Sequence, residues 1–380
     1  MNKSVKKNHN KSIKKNNSTN INKIKEDPWI KRIFLFSFFK KSSFTGRTIR
    51  RAILYFIAVF FVFCVFLLNY SISSIDKKNI NVLVDIPTGS SFLEVTEILN
   101  QAGLVKHRIF FYSLTIIKNA RRHIRAGEYE FNTSMTPIAM INKLIRGEIK
   151  EYIILIPEDF SMKEIADRLY SEKLINKEIF FELARDKDFL KSLNIKAESI
   201  EGYLFPDTYY FNRSMNTRQI MKRMVDRFWE KVTPEMIKKA QELGFNTHQF
   251  VTFASIIGKE SGDDAEKPFI AAVFRNRLKK KMRLQSDPTA VYDMDSFNGK
   301  VLRSHLKRTS PYNTYLIKGL PPGPIANPGL TSLQATLNPA PVKYLYFVSK
   351  KDGSHFFSDS LKEHNKAIYR YAHLNNKKIQ

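Results

Sequence analysis

The sequence predicts an α+β protein: a single N-terminal transmembrane helix, a small βααβ module, then a larger mixed α+β domain. Three observations predict it. Ala52 to Tyr70 (AILYFIAVFFVFCVFLLNY) is nineteen residues long and carries no charge. A segment that begins at Ile86 returns without a gap seventy residues later, at Ile156. Beyond it, apolar residues at helical spacing give way to a Pro/Gly-rich loop and then to two short runs joined at Asp352-Gly353.

Residues 1–51 hold fifteen Lys/Arg against Glu26 and Asp27, so this head carries +13 of the chain's +27 and the other 329 residues carry +14. A basic chain invites a nucleic-acid reading. Yet the head runs directly into the uncharged stretch and contains no folded module to present stacking aromatics, so no nucleic-acid partner is expected. Nineteen apolar residues cross a bilayer, and basic residues on their N-terminal side keep that side in the cytoplasm. No small-x-small cleavage site follows between Ser71 and Asp76, which predicts a retained signal anchor over 52–70 with everything after it exported. Ile33 to Phe39 (IFLFSFF) is too short to span and is expected on the membrane surface, where the basic tail attracts anionic lipid. The only cysteine, Cys64, falls inside the span. There is no HExxH, no paired His spacing, no GxGxxG and no Walker sequence, so neither a metal nor a cofactor is expected.

The two copies share Ile-Pro, Ser91/Ser161, Glu94/Glu164, Leu99/Leu169, Leu104/Leu174 and the Ile-Phe-Phe triplets at 109–111 and 179–181. The likeness resumes at Glu128 (EYEFNTSM) and Thr208 (TYYFNRSM), now eighty residues apart, so the second copy has gained about ten residues. Each copy reads strand, turn, amphipathic helix, second helix, short aromatic strand. The gain includes EGYLFP, part of Glu201 to Phe211, in which aromatics and carboxylates alternate. That pattern suits a carbohydrate surface, where ring faces pack on sugars and acids take hydroxyls.

Next comes ASIIGKESG, Ala254 to Gly262. Asn246 and Gln249 form a capping box that opens a helix, and Glu260 then shares a face with Phe253, Ile256 and Ile257. Lys259 points about 100° away. A carboxyl against apolar side chains finds a partner or keeps its proton. A second helix, KPFIAAVFRNRLKK, leads to MRLQSDPTAVYDM and to SPYNTY (Ser310 to Tyr315). GLPPGPIANPG can form no regular element, SLQATLNP reads as a helix, YLYFVSKKDGSHFFSD as a hairpin, and a helix begins near Leu361.

EGYLFPDTY, ASIIGKESG, VFRNRLKKKMRLQSDPT, YNTYLIKGLPPGPIANPG, YLYFV and HNK, in this order, resemble the endolytic murein transglycosylases, the MltG or YceG-like family, over roughly residues 50–375. The resemblance implies a single-pass protein of the bacterial inner (plasma) membrane. Its LysM-like module would cover 82–152 and its lytic transglycosylase domain 153–375, on the periplasmic or extracytoplasmic side. It further implies that Glu260 is the catalytic acid. Members commonly carry Glu or another polar residue where this chain has Gly258, which is expected to be tolerated at a helix cost of about 1 kcal/mol.

Ordinary glycoside hydrolysis uses two carboxylates; a lytic transglycosylase can work with one. Glu260 would protonate the oxygen linking N-acetylmuramic acid to N-acetylglucosamine, then draw the proton from the muramoyl C6 hydroxyl as it closes on C1. Asn276, Gln285, Asp287, Tyr312 and Asn313 fall in the matching motifs and are candidates for holding sugar or the catalytic carboxyl; for Asn276 and Asp287 the competing reading is capping or loop hydrogen bonding. Glu201 and Asp207 are either a second acid or structural ligands to backbone. His364 and Asn365 are expected to tie down the last helix. The partners implied are peptidoglycan glycan strands and peptidoglycan synthases (penicillin-binding proteins). The alternative is a non-catalytic peptidoglycan-binding membrane protein that recruits such synthases.

Overall fold

The structure is a computed structural model in which residues 46–76, 78–120 and 124–374 are described. The Ile33–Phe39 segment and the basic tail up to residue 45 lie outside the described residues.

The first element, α1 (Gly46–Ile72), starts six residues before the uncharged stretch. At about 1.5 Å per residue it is about 40 Å long, more than a hydrocarbon core requires. It is long and apolar enough to cross a membrane. Large side chains stand exposed around it, Leu54 at 65%, Tyr55 at 75% and Phe56 at 71%, a surface suited to lipid rather than water.

After it the repeat folds as two like units. The first is β1 (Asn81–Ile86), α2 (Phe92–Gln101), α3 (Arg108–Ile117) and β2 (Gly127–Asn132), followed by α4 (Pro137–Arg146). The second is β3 (Tyr152–Leu155), α5 (Met162–Ser171), α6 (Lys177–Leu183), an added α7 (Lys187–Ser192) and β4 (Thr208–Phe211), followed by α8 (Thr217–Lys231). Each pairs its outer strands antiparallel, Val84 opposite Tyr129 and Ile154 opposite Tyr209. Ser91 and Ser161 both close capping boxes with the glutamate three residues on. The aromatic strands repeat even in detail: Tyr129 and Tyr209 stack on Phe131 and Phe211, and each tyrosine hydroxyl donates to the carbonyl four residues back.

One difference is concealed by the gapless match. The copy-two helix starts at Lys177 after the Asn176 cap, whereas its counterpart starts at Arg108 after His107, one residue later in the repeat. The two helices also bury different members of the Phe-Phe pair: Phe111 in copy one, Phe180 in copy two. Glu128 joins the units, accepting from Tyr152 and pairing with Arg213 at 3.0 Å.

Copy two belongs to one continuous core that runs from Ile154 to Leu337. The core is completed by α9 (Pro234–Glu242), α10 (Thr247–Glu260), α11 (Lys267–Lys279) and α14 (Leu330–Leu337), with the short α12 (Asp287–Val291) and α13 (Arg303–Leu306) lying between α11 and α14 in sequence. A β5–β6 hairpin (Tyr346–Ser349, His355–Ser358) and α15 (Leu361–Leu374) follow. His364 stacks on Tyr346, fastening α15 to β5 at 5.1 Å between rings.

Helix α10 is buried from Phe250 to Gly258 on all sides, not along one stripe, as expected of a core helix. It packs on α9, α11, α12 and α14. Two expectations change here. The aromatics of EGYLFPDTYYF do not form a sugar-binding face: Tyr203, Phe205, Tyr209 and Phe211 are all buried, and only Tyr210 is exposed. They line the seam where copy two joins the core, and Tyr203 meets Phe228 edge to face. Gly258 is also more than tolerated. A Cβ on it would lie 1.8 Å from Oδ1 of Asp159, whose carboxyl fills that space from the β3–α5 turn. A Cβ on Gly329 would likewise meet Glu158 at 1.8 Å.

Candidate active site

Glu260 is the last residue of α10, where the chain turns into extended backbone at Ser261. The Asn246–Gln249 capping box opens the helix as expected, and Lys259 turns away to the Asp159 carbonyl at 3.2 Å. The Glu260 side chain is half-buried, with Oε1 fully enclosed and without a hydrogen-bond partner. Burial pushes its carboxyl up to about 7; the nearby Ser286 hydroxyl opposes this, the Asp287 charge adds to it, and the Arg277 guanidinium opposes it.

The surroundings of Glu260 come mostly from one loop. Arg277, on α11 and itself buried, donates from Nε to the Leu345 carbonyl at 2.6 Å and from Nη1 to that of Leu284 at 2.7 Å. It also reaches Gln285 Oε1 at 3.3 Å. Gln285 adopts φ 53°, a left-handed turn that non-glycine residues rarely take. Its N–H donates to the Thr314 carbonyl at 3.2 Å, and the next amide, of Ser286, to Thr314 Oγ1 at 2.9 Å. The turn delivers Ser286 and Asp287 to α10. Asp287 Oδ1 accepts from the Tyr315 hydroxyl at 2.5 Å, and that phenol, buried beside acids, is raised above its ordinary range.

Of the sequence candidates, Gln285 and Asp287 thus stand in this group with Glu260. The others do not. Asn276 donates to the carbonyls of Val342 and Tyr344 at 2.9 and 3.0 Å, and so holds the segment leading into β5. Asn313 is wholly buried and staples its own loop, donating to the carbonyls of Leu306 and Arg308. Asp207 pairs with Arg227 at 2.7 Å, which holds its carboxyl below the usual range despite some burial.

Glu201 forms a second centre. It is 1% exposed and accepts from Met162 N–H at 2.9 Å, Tyr292 Oη at 2.8 Å and Asn327 Nδ2 at 2.8 Å. Tyr312 belongs here, its ring 4.7 Å from that of Tyr292. Asn327 also accepts from the amides of Gly202 and Leu204, so the EGYLFP turn and the Pro/Gly loop are bound together. Burial raises Glu201 to about 7 as well, against three hydrogen bonds that lower it.

Arg277, Ser286 and Tyr315 were not singled out from the sequence. The signal was adjacency: Ser286 lies between two candidates in RLQSDPT, and Tyr315 ends SPYNTY. Among the described residues no group of His, Cys, Asp and Glu is placed to hold a metal ion.

The YceG-like family model matches residues 84–370. A Bacillus subtilis protein named endolytic murein transglycosylase is 36% identical over 80% of this chain and 88% of its own length. A Streptococcus pneumoniae protein of the same name is 27% identical over 78% of this chain and 59% of its own. A crystal structure titled as a yceG-like protein from Listeria monocytogenes superposes with a TM-score of 0.53 at 32% identity, covering 76% of this chain and 99% of that one. By the extent of these matches the chain belongs to the YceG-like family.

Proposed function

We propose that this chain is a membrane-anchored endolytic lytic transglycosylase acting on peptidoglycan, with Glu260 as its acid and base. The observation that carries the reading is the Glu260 carboxyl, part-exposed yet raised to about 7, with one oxygen unpartnered. A general acid works best with a pKa near the working pH. Protonated Glu260 donates to the glycosidic oxygen between N-acetylmuramic acid and N-acetylglucosamine, and the C1–O bond breaks as an oxocarbenium-like sugar forms. The muramoyl C6 oxygen closes on C1, its proton passes to the Glu260 carboxylate, and the acid is regenerated. No water is consumed, and a 1,6-anhydromuramoyl end results. The kinship with proteins named endolytic murein transglycosylase supports the same reading.

Glu201 has every oxygen engaged and serves as a structural ligand, as do Asp207, Asn276 and Asn313; Gln285 and Asp287 hold the loop beside the acid. Residues 82–152 form a LysM-like module, and 153–375 form the catalytic domain. The apolar α1 anchors the chain in the membrane with its N-terminus in the cytoplasm and its active site outside, where nascent glycan and its synthases meet.

Incubating purified peptidoglycan with the full chain in detergent, followed by mass spectrometry, tests the chemistry. Anhydromuramoyl ends are expected; a folded protein that binds glycan and releases none would leave the binding and recruiting role. A reporter active only outside the cytoplasm, fused after Gln380, should be on, and off when placed before residue 50.

A further inference from the structure

Two enclosed oxygens at the acid site have no hydrogen-bond partner: Glu260 Oε1, at the end of α10, and Ser286 Oγ, at the residue that opens α12. The two helices pack on each other. Ser286 is 1% exposed, and its backbone is pinned on both sides. Its N–H donates to Thr314 Oγ1 at 2.9 Å, and its carbonyl accepts from Thr289 Oγ1 at 2.6 Å. Those two threonine hydroxyls are themselves 2.8 Å apart, so the serine cannot drift. A serine in this position ordinarily turns its hydroxyl onto an amide of its own helix; here it makes no such cap.

A buried hydroxyl left unmatched costs about 1–3 kcal/mol, and at Ser286 only the backbone groups are matched. Its hydroxyl rotor is free to point at the nearby Glu260 carboxyl, one oxygen of which also lacks a partner. Building on the assignment of Glu260 as the acid, we infer that Ser286 is a positioning residue that donates to Glu260 Oε1 and so keeps the acidic proton on Oε2. Oε1 is enclosed, so a proton carried there would face protein; on Oε2 it faces the part-exposed side, where a glycan must lie. After transfer the same donor stabilises the carboxylate until the C6 proton arrives. The Ser286 hydroxyl is also what most opposes the upward push of burial on this carboxyl.

The test uses the full chain in detergent, purified glycan strands as substrate, and rates read across neutral pH. Ser286→Ala removes a hydroxyl with no other partner but leaves the enclosed Glu260 Oε1 without its donor, so the melting temperature should fall by no more than a few degrees. Its kcat should fall about tenfold, the value of one hydrogen bond in the transition state, with KM nearly unchanged. Because the lost donor stabilised the ionised form, the alkaline limb of kcat/KM should move up by about half a pH unit or more. Ser286→Thr, which restores the hydroxyl, should recover most of both. Wild-type kcat and an unmoved limb in Ser286→Ala would overturn the inference, as would activity lost together with melting temperature while the limb stays put. Should the alanine variant not fold, Ser286→Cys, a weaker donor of similar shape, is read by the same limb, and an unmoved limb overturns the inference there too. Failure of the underlying assignment looks different: no anhydromuramoyl product from the wild type, or Glu260→Gln as active as the wild type.

Discussion

Glu201 and Glu260 are both carboxyls pushed up to about 7 by burial, and they lie in pockets of opposite kind. Around Glu201 an amide, a phenol and a carboxamide take up the oxygens, and the side chain is closed to solvent. Around Glu260 one oxygen is enclosed and unpartnered, and the side chain still reaches the surface. A raised pKa therefore marks burial, not chemistry. What separates an acid that can act from one that holds a fold is whether its oxygens are free and its proton can leave.

Glu260→Gln draws that line most sharply. The amide is nearly isosteric, so the melting temperature should hold or rise slightly. In the proposed mechanism one residue serves both proton steps, and general acid–base catalysis contributes about 10²–10⁴-fold, so product release should fall by at least about a hundredfold while glycan binding persists. A folded variant working near the wild-type rate would erase the distinction.

Glu201→Ala should act on the other side of it. Removing the carboxyl strands Met162 N–H, Tyr292 Oη and Asn327 Nδ2 in a buried pocket, at about 3–5 kcal/mol of stability by analogy with broken buried networks. Denaturant unfolding reads the loss. Activity per folded molecule should stay within a few-fold of wild type, and a large drop there would return Glu201 to the catalytic candidates.

Gly258→Ala should cost about 2 kcal/mol, the reverse of its usual helix effect, because Asp159 already fills the Cβ position. Adding Asp159→Ala should recover much of it. Additive losses in that double-mutant cycle would show that the two do not share the space.

A change of pH acts on all the buried carboxyls at once. Glu201, Glu260 and Asp159 are all raised to about 7 in the folded chain, each chiefly by burial. The native state then holds more protons than the unfolded chain between the ordinary carboxylate range and about 7, so stability should rise as pH falls through that window. Each group adds at most about 1.4 kcal/mol per pH unit. A melting temperature that falls on going from neutrality to about pH 5 contradicts this sign. Smallest of all, Asp207→Asn loosens a part-exposed pair with Arg227 and should change stability by less than about 1 kcal/mol and activity not at all; a rate change would make the pair part of the site.

Helix boundaries, capping boxes, the duplicated unit and the terminal hairpin were legible because each rests on residues close in sequence. Asn246 and Gln249 announce α10 by themselves, and Ser91 and Ser161 announce the repeat. Glu260 was legible as an acid in an apolar setting, although the helix proved buried on every side. What stayed hidden depends on distant partners. Nothing near Gly258 reveals that Asp159 will lie on it. The alternating acids and aromatics of EGYLFPDTYYF have the composition of a sugar platform, and only the pairing with Asn327, Val251 and Pro324 turns them inward. The Phe111/Phe180 choice lies below what a gapless match can show, as does the one-residue shift in where the helix begins.

The Pro/Gly loop also sets an order of events. Residues 321–329 are buried save Pro322, and their polar groups meet partners far up the chain: Ile325 N–H donates to Ser255 Oγ, Asn327 N–H to the Phe160 carbonyl, and the Asn327 carbonyl accepts from Asp159 N–H. Until this loop arrives, Glu201 lacks one of its three partners, and the EGYLFP turn and the middle of α10 lack the groups that the loop brings them. A chain that emerges N-terminus first thus has its acid helix made long before the pocket around it can close. Contacts of such long range are slow to form, and a glycan-cutting enzyme built this way stays silent until nearly all of it has arrived.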